Sequence, residues 1–266
     1  HTQSAAEWIP WELLHDGTDF LGLRFQIARL PITSKGPDLS QPNPHPLRQI
    51  YSFLGKNVFL PALSAQLNQD WQATFSNLLP ANVQLQRYPD QPGATANDYP
   101  NVDHLLAAAA NGDILHVTCH GGLKDKNGQY HWTLNHESTL TYSYHINSTL
   151  LSDFTPQLSP LVFGNACISS QPGDSGDGLA SGFGAQFFAQ GVLAFIGTFA
   201  PITQPMAVRF ARQFYALLLG DNGQPNFPVG QALFKTKQHF ASLNEMDPSY
   251  LYYCLYGPAE TVFQAA

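Results

Sequence analysis

Apolar positions along the chain recur at two periods. Leu63, Leu67, Trp71, Phe75 and Leu78 are spaced by four, four, four and three, the stripe of an amphipathic helix that Pro80 ends. Helices are likewise expected over 101–110, stopping at Asn111-Gly112, and over 179–190, 204–219 and 229–241, with a helical turn at 147–154. Short apolar or alternating runs at 19–30, 47–54, 83–88, 113–118, 160–164, 192–197 and 250–256 read as strands. Asp125-Lys126-Asn127-Gly128 reads as a hairpin turn leading into alternating residues 130–134 and 139–144. Between these elements, 34–46 and 89–100 are Pro-rich loops and 168–178 is a polar, Gly-rich one. Strand and helix alternate along most of the chain, and the strands are apolar on both faces. The pattern predicts an α/β layer structure with a mostly parallel central sheet flanked by helices.

Composition narrows the classes. Charged residues are 12% of the 266, about half the usual share, and the net charge is −7. The 12 Lys and Arg do not cluster, so no basic stripe exists for a phosphate backbone, and direct nucleic-acid binding is not expected. No apolar run approaches the roughly 20 residues a membrane span requires. The start shows no signal-peptide pattern, and a chain beginning at His1 reads as processed or as a piece of something larger. The three cysteines, Cys119, Cys167 and Cys254, make no disulfide framework and fit a reducing, cytoplasmic setting. The sequon at Asn147 then reads as chance or as a helix cap.

Two segments carry candidate chemistry. Ile114-Leu115-His116-Val117-Thr118 runs into Cys119-His120-Gly121-Gly122, and Leu161-Val162-Phe163-Gly164 runs into Asn165-Ala166-Cys167. In open parallel sheets functional groups gather beyond the carboxyl ends of strands. If the two strands are neighbours, His120 and Cys167, 47 residues apart, face each other there, in the order and spacing of a caspase-type His and Cys. An imidazole can take the thiol proton and later return it to a leaving amine. The N–H groups of Gly121 and Cys167 are the natural oxyanion donors. Cys119 points away from His120 in an extended strand and reads as packing, as does Cys254. A metal site at His116, Cys119 and His120 is disfavoured, because the stretch reads as strand and no second ligand cluster is evident. No cofactor is expected. Asp174 and Asp177 could line a substrate pocket, where a carboxylate would favour Lys or Arg at the cleaved bond, could bind calcium, or could form a solvated turn. Asp113 sits too far down its strand to orient His120.

These landmarks resemble the CHAT domains, a branch of the caspase-like peptidases that includes separase. The resemblance covers nearly the whole chain: Trp8-Ile9-Pro10-Trp11-Glu12-Leu13-Leu14, the His-Gly and Asn-Ala-Cys strands, Gly191 to Pro201, Phe210 to Leu218, and Leu255-Tyr256-Gly257-Pro258. It departs at Phe199, where Trp is frequent, at Cys119, where Gly is frequent, and near Gln204, where an acid is usual. The change at Phe199 bears on substrate contacts.

The resemblance implies a caspase-haemoglobinase-like fold over 1–266 as one domain, with an N-terminal strand and loop at 1–46 and the catalytic core at 47–266, within a larger chain or complex. It implies a cysteine endopeptidase with a His120–Cys167 dyad, acting on a protein substrate under a regulatory domain or partner subunit, as a signalling or defence effector. The alternatives are a silent interaction module on the same fold and a thiol hydrolase of small amides or esters.

Overall fold

The computed structural model describes residues 9–31, 44–56, 64–90, 99–122, 131–136, 143–147, 153–171, 173–174, 180–220 and 226–266. In chain order the elements are α1 (Leu21–Arg24), β1 (Ala28–Arg29), β2 (His45–Leu47), β3 (Gln49–Leu54), α2 (Ser64–Ala73), β4 (Gln84–Tyr88), α3 (Val102–Asn111) and β5 (Ile114–Thr118). They continue with β6 (His120–Gly122), β7 (His131–His136), β8 (Ser143–Asn147), β9 (Leu161–Asn165), β10 (Gly173–Asp174), β11 (Ala180–Ser181) and α4 (Phe183–Ala189). The last are β12 (Ala194–Thr198), α5 (Gln204–Leu219), α6 (Val229–Ser242), β13 (Tyr253–Tyr256) and β14 (Phe263–Ala265).

Seven strands form the central sheet in the order β1-β13-β12-β9-β5-β3-β4. From β12 to β4 every pairing is parallel, and β13 runs antiparallel to β12. The mostly parallel sheet expected from the sequence is therefore present. Its strands are apolar on both faces because helices cover both. Ile114, Leu161, Phe163 and Ile196 pack with residues of α5 and α6 on one face. Leu115, Val117, Val162 and Phe195 pack with residues of α3 and α4 on the other. No helix among the described residues is long and apolar enough to cross a membrane.

Several elements differ from expectation. Residues 19–30 are a short helix, α1, and only Ala28 and Arg29 pair as a strand, because β13 offers them just Leu255 and Tyr256. The run 47–54 is two strands. The amides of Arg48 and Gln49 both donate to the Asp113 carboxylate (2.7 and 2.9 Å), which interrupts the ladder there. β2 instead pairs with the C-terminal β14. The first part of 250–256 lies in a 3₁₀ turn, Pro248–Tyr252, in which the Ser249 amide donates to the Asp247 carboxylate. The hairpin turn at 125–128 and residues 148–152 of the expected helical turn lie outside the described residues.

Candidate active site

β5 and β9 are direct neighbours, paired in register from Ile114 with Leu161 to Thr118 with Asn165. His120 and Cys167 each lie two residues beyond that last rung, just past the ends of adjacent strands. Strand alternation sets the facing of the residues just before them. Ala166 and Cys119 belong to the cluster packed with α3 and α4. Thr118 and Asn165 turn the other way, toward Tyr215, Tyr253 and Ala207. His120 opens β6 and Cys167 lies in the turn after β9, both beyond the alternating strands. His120 is exposed and Cys167 half-buried.

Gly121 presses against the backbone of Cys167. A Cβ at this position would overlap the Cys167 carbonyl oxygen and come within 2.8 Å of its carbonyl carbon and 3.0 Å of its amide nitrogen. Only glycine allows this approach. Beside it, a Cβ at Gly122 would overlap the His131 ring, which brings a second imidazole to the same strand end through the β6–β7 pairing.

Buried polar groups fix the two strand ends from below. Asn165 donates from Nδ2 to the Ala207 carbonyl (2.9 Å) and accepts from the Tyr253 hydroxyl (2.7 Å), tying β9 to α5 and β13. His116 lies between the Tyr215 hydroxyl (3.1 Å) and Thr118 Oγ1 (2.9 Å). Burial pushes its pKa from 6.5 down to about 3, so this ring is neutral at physiological pH. It serves the framework. Among the described residues, no three His, Cys, Asp or Glu gather as a cation site.

The turn after Cys167 is strained and tightly held. Ile168 has φ +61°, a left-handed conformation costly for a β-branched residue, about 1–3 kcal/mol. Four bonds to β12 and β9 hold it. Ser169 Oγ donates to the Gly164 carbonyl and accepts from the Thr198 amide. Thr198 Oγ1 donates to the Ala166 carbonyl, and the Ser170 amide donates to the Thr198 carbonyl. The thiol of Cys167 lies 3.7 Å from the Ile202 carbonyl, at the approach to α5. Next to Ile202, the Thr203 hydroxyl donates to the Asp247 carboxylate. Burial alone would raise the pKa of Asp247, but hydrogen bonds from Ser249 and Thr203 and the nearby Arg209 leave it lowered.

The other predicted residues distribute unevenly. Phe199 is half-buried, packs against the second core cluster, and bonds through its amide to the Tyr252 carbonyl (2.8 Å). Asp174 ends β10, which pairs antiparallel with β11; Asp177 lies outside the described residues. Asp113 is at the far end of β5, bound to Arg48, as its distance from His120 implied. Cys119 is buried, and burial together with the neighbouring Cys167 raises its pKa well above the usual thiol range. Three neighbours of the site escaped sequence reasoning: Ile168, Ile202 and His131. A β-branched residue in the left-handed region leaves no sequence signal, and a carbonyl contact none at all. His131 could have been found only from its pairing opposite Gly122.

A parallel sheet with these two strand ends, flanked by helices and closed by an antiparallel β13, is a caspase-haemoglobinase-like architecture, that of the caspase-like cysteine peptidases. The chain belongs to the CHAT domain family, whose model matches residues 2–253. No curated protein matches the sequence. Among solved structures the fold is similar to separase in the Saccharomyces cerevisiae separase–securin complex, at 13% identity and a TM-score of 0.56, covering 98% of this chain and 15% of that one. It is also similar to the Arg-specific cysteine proteinase gingipain R, at 14% identity and a TM-score of 0.51, covering 81% of this chain and 47% of that one. The chain thus spans less than half of either.

Proposed function

We propose that the protein is a cysteine endopeptidase in which His120 activates Cys167. The observation that supports this reading is the in-register pairing of β5 with β9, since His120 and Cys167 each follow its last rung by two positions. His120 takes the thiol proton, and the thiolate attacks the carbonyl carbon of the substrate peptide. The oxyanion of the tetrahedral intermediate is held by the N–H groups of Gly121 and Cys167. Collapse expels the amine, which takes the proton from His120, and leaves a thioester on Cys167. Water, deprotonated by His120, then hydrolyses the thioester and restores the thiol.

Asp174 and Asp177 are the proposed carboxylates for a Lys or Arg side chain before the cleaved bond, and Phe199 a substrate contact. A protein substrate suits a site that opens at a sheet edge. The proposed setting is a regulated signalling or defence effector in the cytoplasm, controlled by a further domain or partner subunit. The test is cleavage-site profiling on a proteome-derived peptide library. Internal cleavage after one residue type, lost in Cys167→Ala and His120→Ala, supports the reading. Activity on simple amides alone, or cleavage surviving Cys167→Ala, would refute it.

A further inference from the structure

On the helical flank of the sheet, a cleft of about 610 Å³ opens between α5, the end of α6 and the turn that follows α2. Its apolar surface includes Leu78, Ala216, Phe240 and Leu243, and its amides come from Asn77 and Gln213. Arg209, Arg212 and His239 supply its ionisable groups, so its lining holds two arginines and no carboxylate. The chain as a whole has 19 acidic and 12 basic residues. This cleft therefore runs against the sign of the rest of the molecule.

The two arginines differ. Arg209 stands with its guanidinium 5.2 Å from the Phe240 ring centroid and is paired at the rim with Glu245 (2.5 Å). Arg212, one turn further along α5, is exposed and makes no ion pair among the described residues. The rim is also apolar where it meets solvent: Leu243 is 55% exposed, and Met246, beside Glu245, is 96% exposed. An open groove with a cationic side, an apolar floor and an apolar lip suits an extended ligand better than an enclosed small molecule.

We propose that this groove docks an acidic, amphipathic segment of a partner protein. Its carboxylates engage Arg212 and compete with Glu245 for Arg209, while its apolar side chains cover Leu243 and Met246. Charge complementarity selects the occupant, since a neutral or basic segment would leave Arg212 uncompensated. The groove is also connected to the proposed nucleophile. Glu245 lies two residues before Asp247, which holds Thr203, next to the Ile202 carbonyl that touches the Cys167 thiol. The regulatory meaning of docking rests on the peptidase reading; the binding itself does not.

The experiment is therefore run on the Cys167→Ala protein, so that its outcome is independent of catalysis. Fluorescence anisotropy is recorded with a labelled peptide of repeated Glu-Glu-Leu and with its Lys-Lys-Leu counterpart. The acidic peptide should bind saturably and the basic one should not. Arg209→Ala/Arg212→Ala should weaken binding about tenfold or more, and Glu245→Gln should tighten it, with circular dichroism unchanged in each. Equal binding of both peptides, or acidic-peptide affinity unchanged by the double substitution, would overturn the proposal. Two further outcomes would overturn it by giving the groove another occupant: saturable binding of inorganic pyrophosphate without peptide binding, or self-association abolished by the double substitution without peptide binding.

Discussion

Cys167 and Cys254 are the same functional group in two opposite settings. Cys254 lies within β13, fully enclosed, beside the ion pair in which Arg29 donates to both carboxylate oxygens of Glu12 (2.5 and 2.7 Å), with buried Lys237 near by. Two cations would ordinarily favour a thiolate. Burial and the Glu12 carboxylate outweigh them, and the thiol is pushed up to about 12. Cys167 lies past the end of its strand, half-buried, in a turn whose Ile168 is held in a left-handed conformation. Neighbouring charge alone does not make a cysteine reactive in this fold. What separates the two regions is that Cys167 lies in a turn past its strand, where we propose that His120 activates it.

The contrast can be broken most forcefully by removing each sulfur. Cys167→Ala should lower peptide cleavage by ~10³-fold or more with the melting temperature little changed. Cys254→Ala should leave catalysis within a few-fold and act on stability instead, because it cuts a cavity beside buried charges. Rates and thermal unfolding of both variants check this, and the opposite pattern would reverse the assignment. Gly121→Ala should cost about 10²-fold in kcat, since the added methyl overlaps the Cys167 carbonyl and displaces a proposed oxyanion donor. Substrate KM should move less than kcat.

On the β13 side, Arg29→Met should destabilise the fold by about 3 kcal/mol, because it strands the Glu12 carboxylate in the interior. Urea unfolding measures this directly. Activity measured well below the unfolding transition should change little.

The smallest effect concerns His116. Unfolded, this side chain takes up a proton near its ordinary pKa of 6.5; folded, burial delays that to about 3. Stability contributed by the neutral ring is therefore complete above 6.5, falls as pH drops toward 3, and levels off below. His116→Gln should flatten that part of the profile. Comparing urea midpoints of the two proteins at pH 7 and pH 5 tests it, and equal losses in both would count against the assignment.

Much of this contrast was legible in the sequence, because it rests on strand ends. Ile114–Thr118 and Leu161–Asn165 are short apolar runs that stop at small or polar residues, and that pattern located the sheet and the strand ends at which the proposed pair lies. Alternation likewise placed Cys119 on the packed face. The β13 side was opaque. Glu12 stands in an otherwise apolar opening, yet it is buried. Only the pairing of β1 with β13 brings Arg29 to it across 17 residues of chain. Long-range pairing of two- and three-residue strands, such as β2 with β14, leaves no periodicity to detect. The helix stripe from 63 to 78 misled at its end for a related reason. The helix stops at Ala73, yet the following turn still buries Phe75 at 2% exposure, so burial outlasts the helix.

In the proposed site one sulfur, and one alone, meets an imidazole. Peptidyl acyloxymethyl ketones varied at the residue before the reactive carbonyl, followed by mass-spectrometric mapping of the adduct, test it most directly. The account predicts a single adduct on Cys167 that disappears in His120→Ala while that variant remains folded. An adduct on Cys119 or Cys254, or labelling of Cys167 at an undiminished rate without His120, would contradict it.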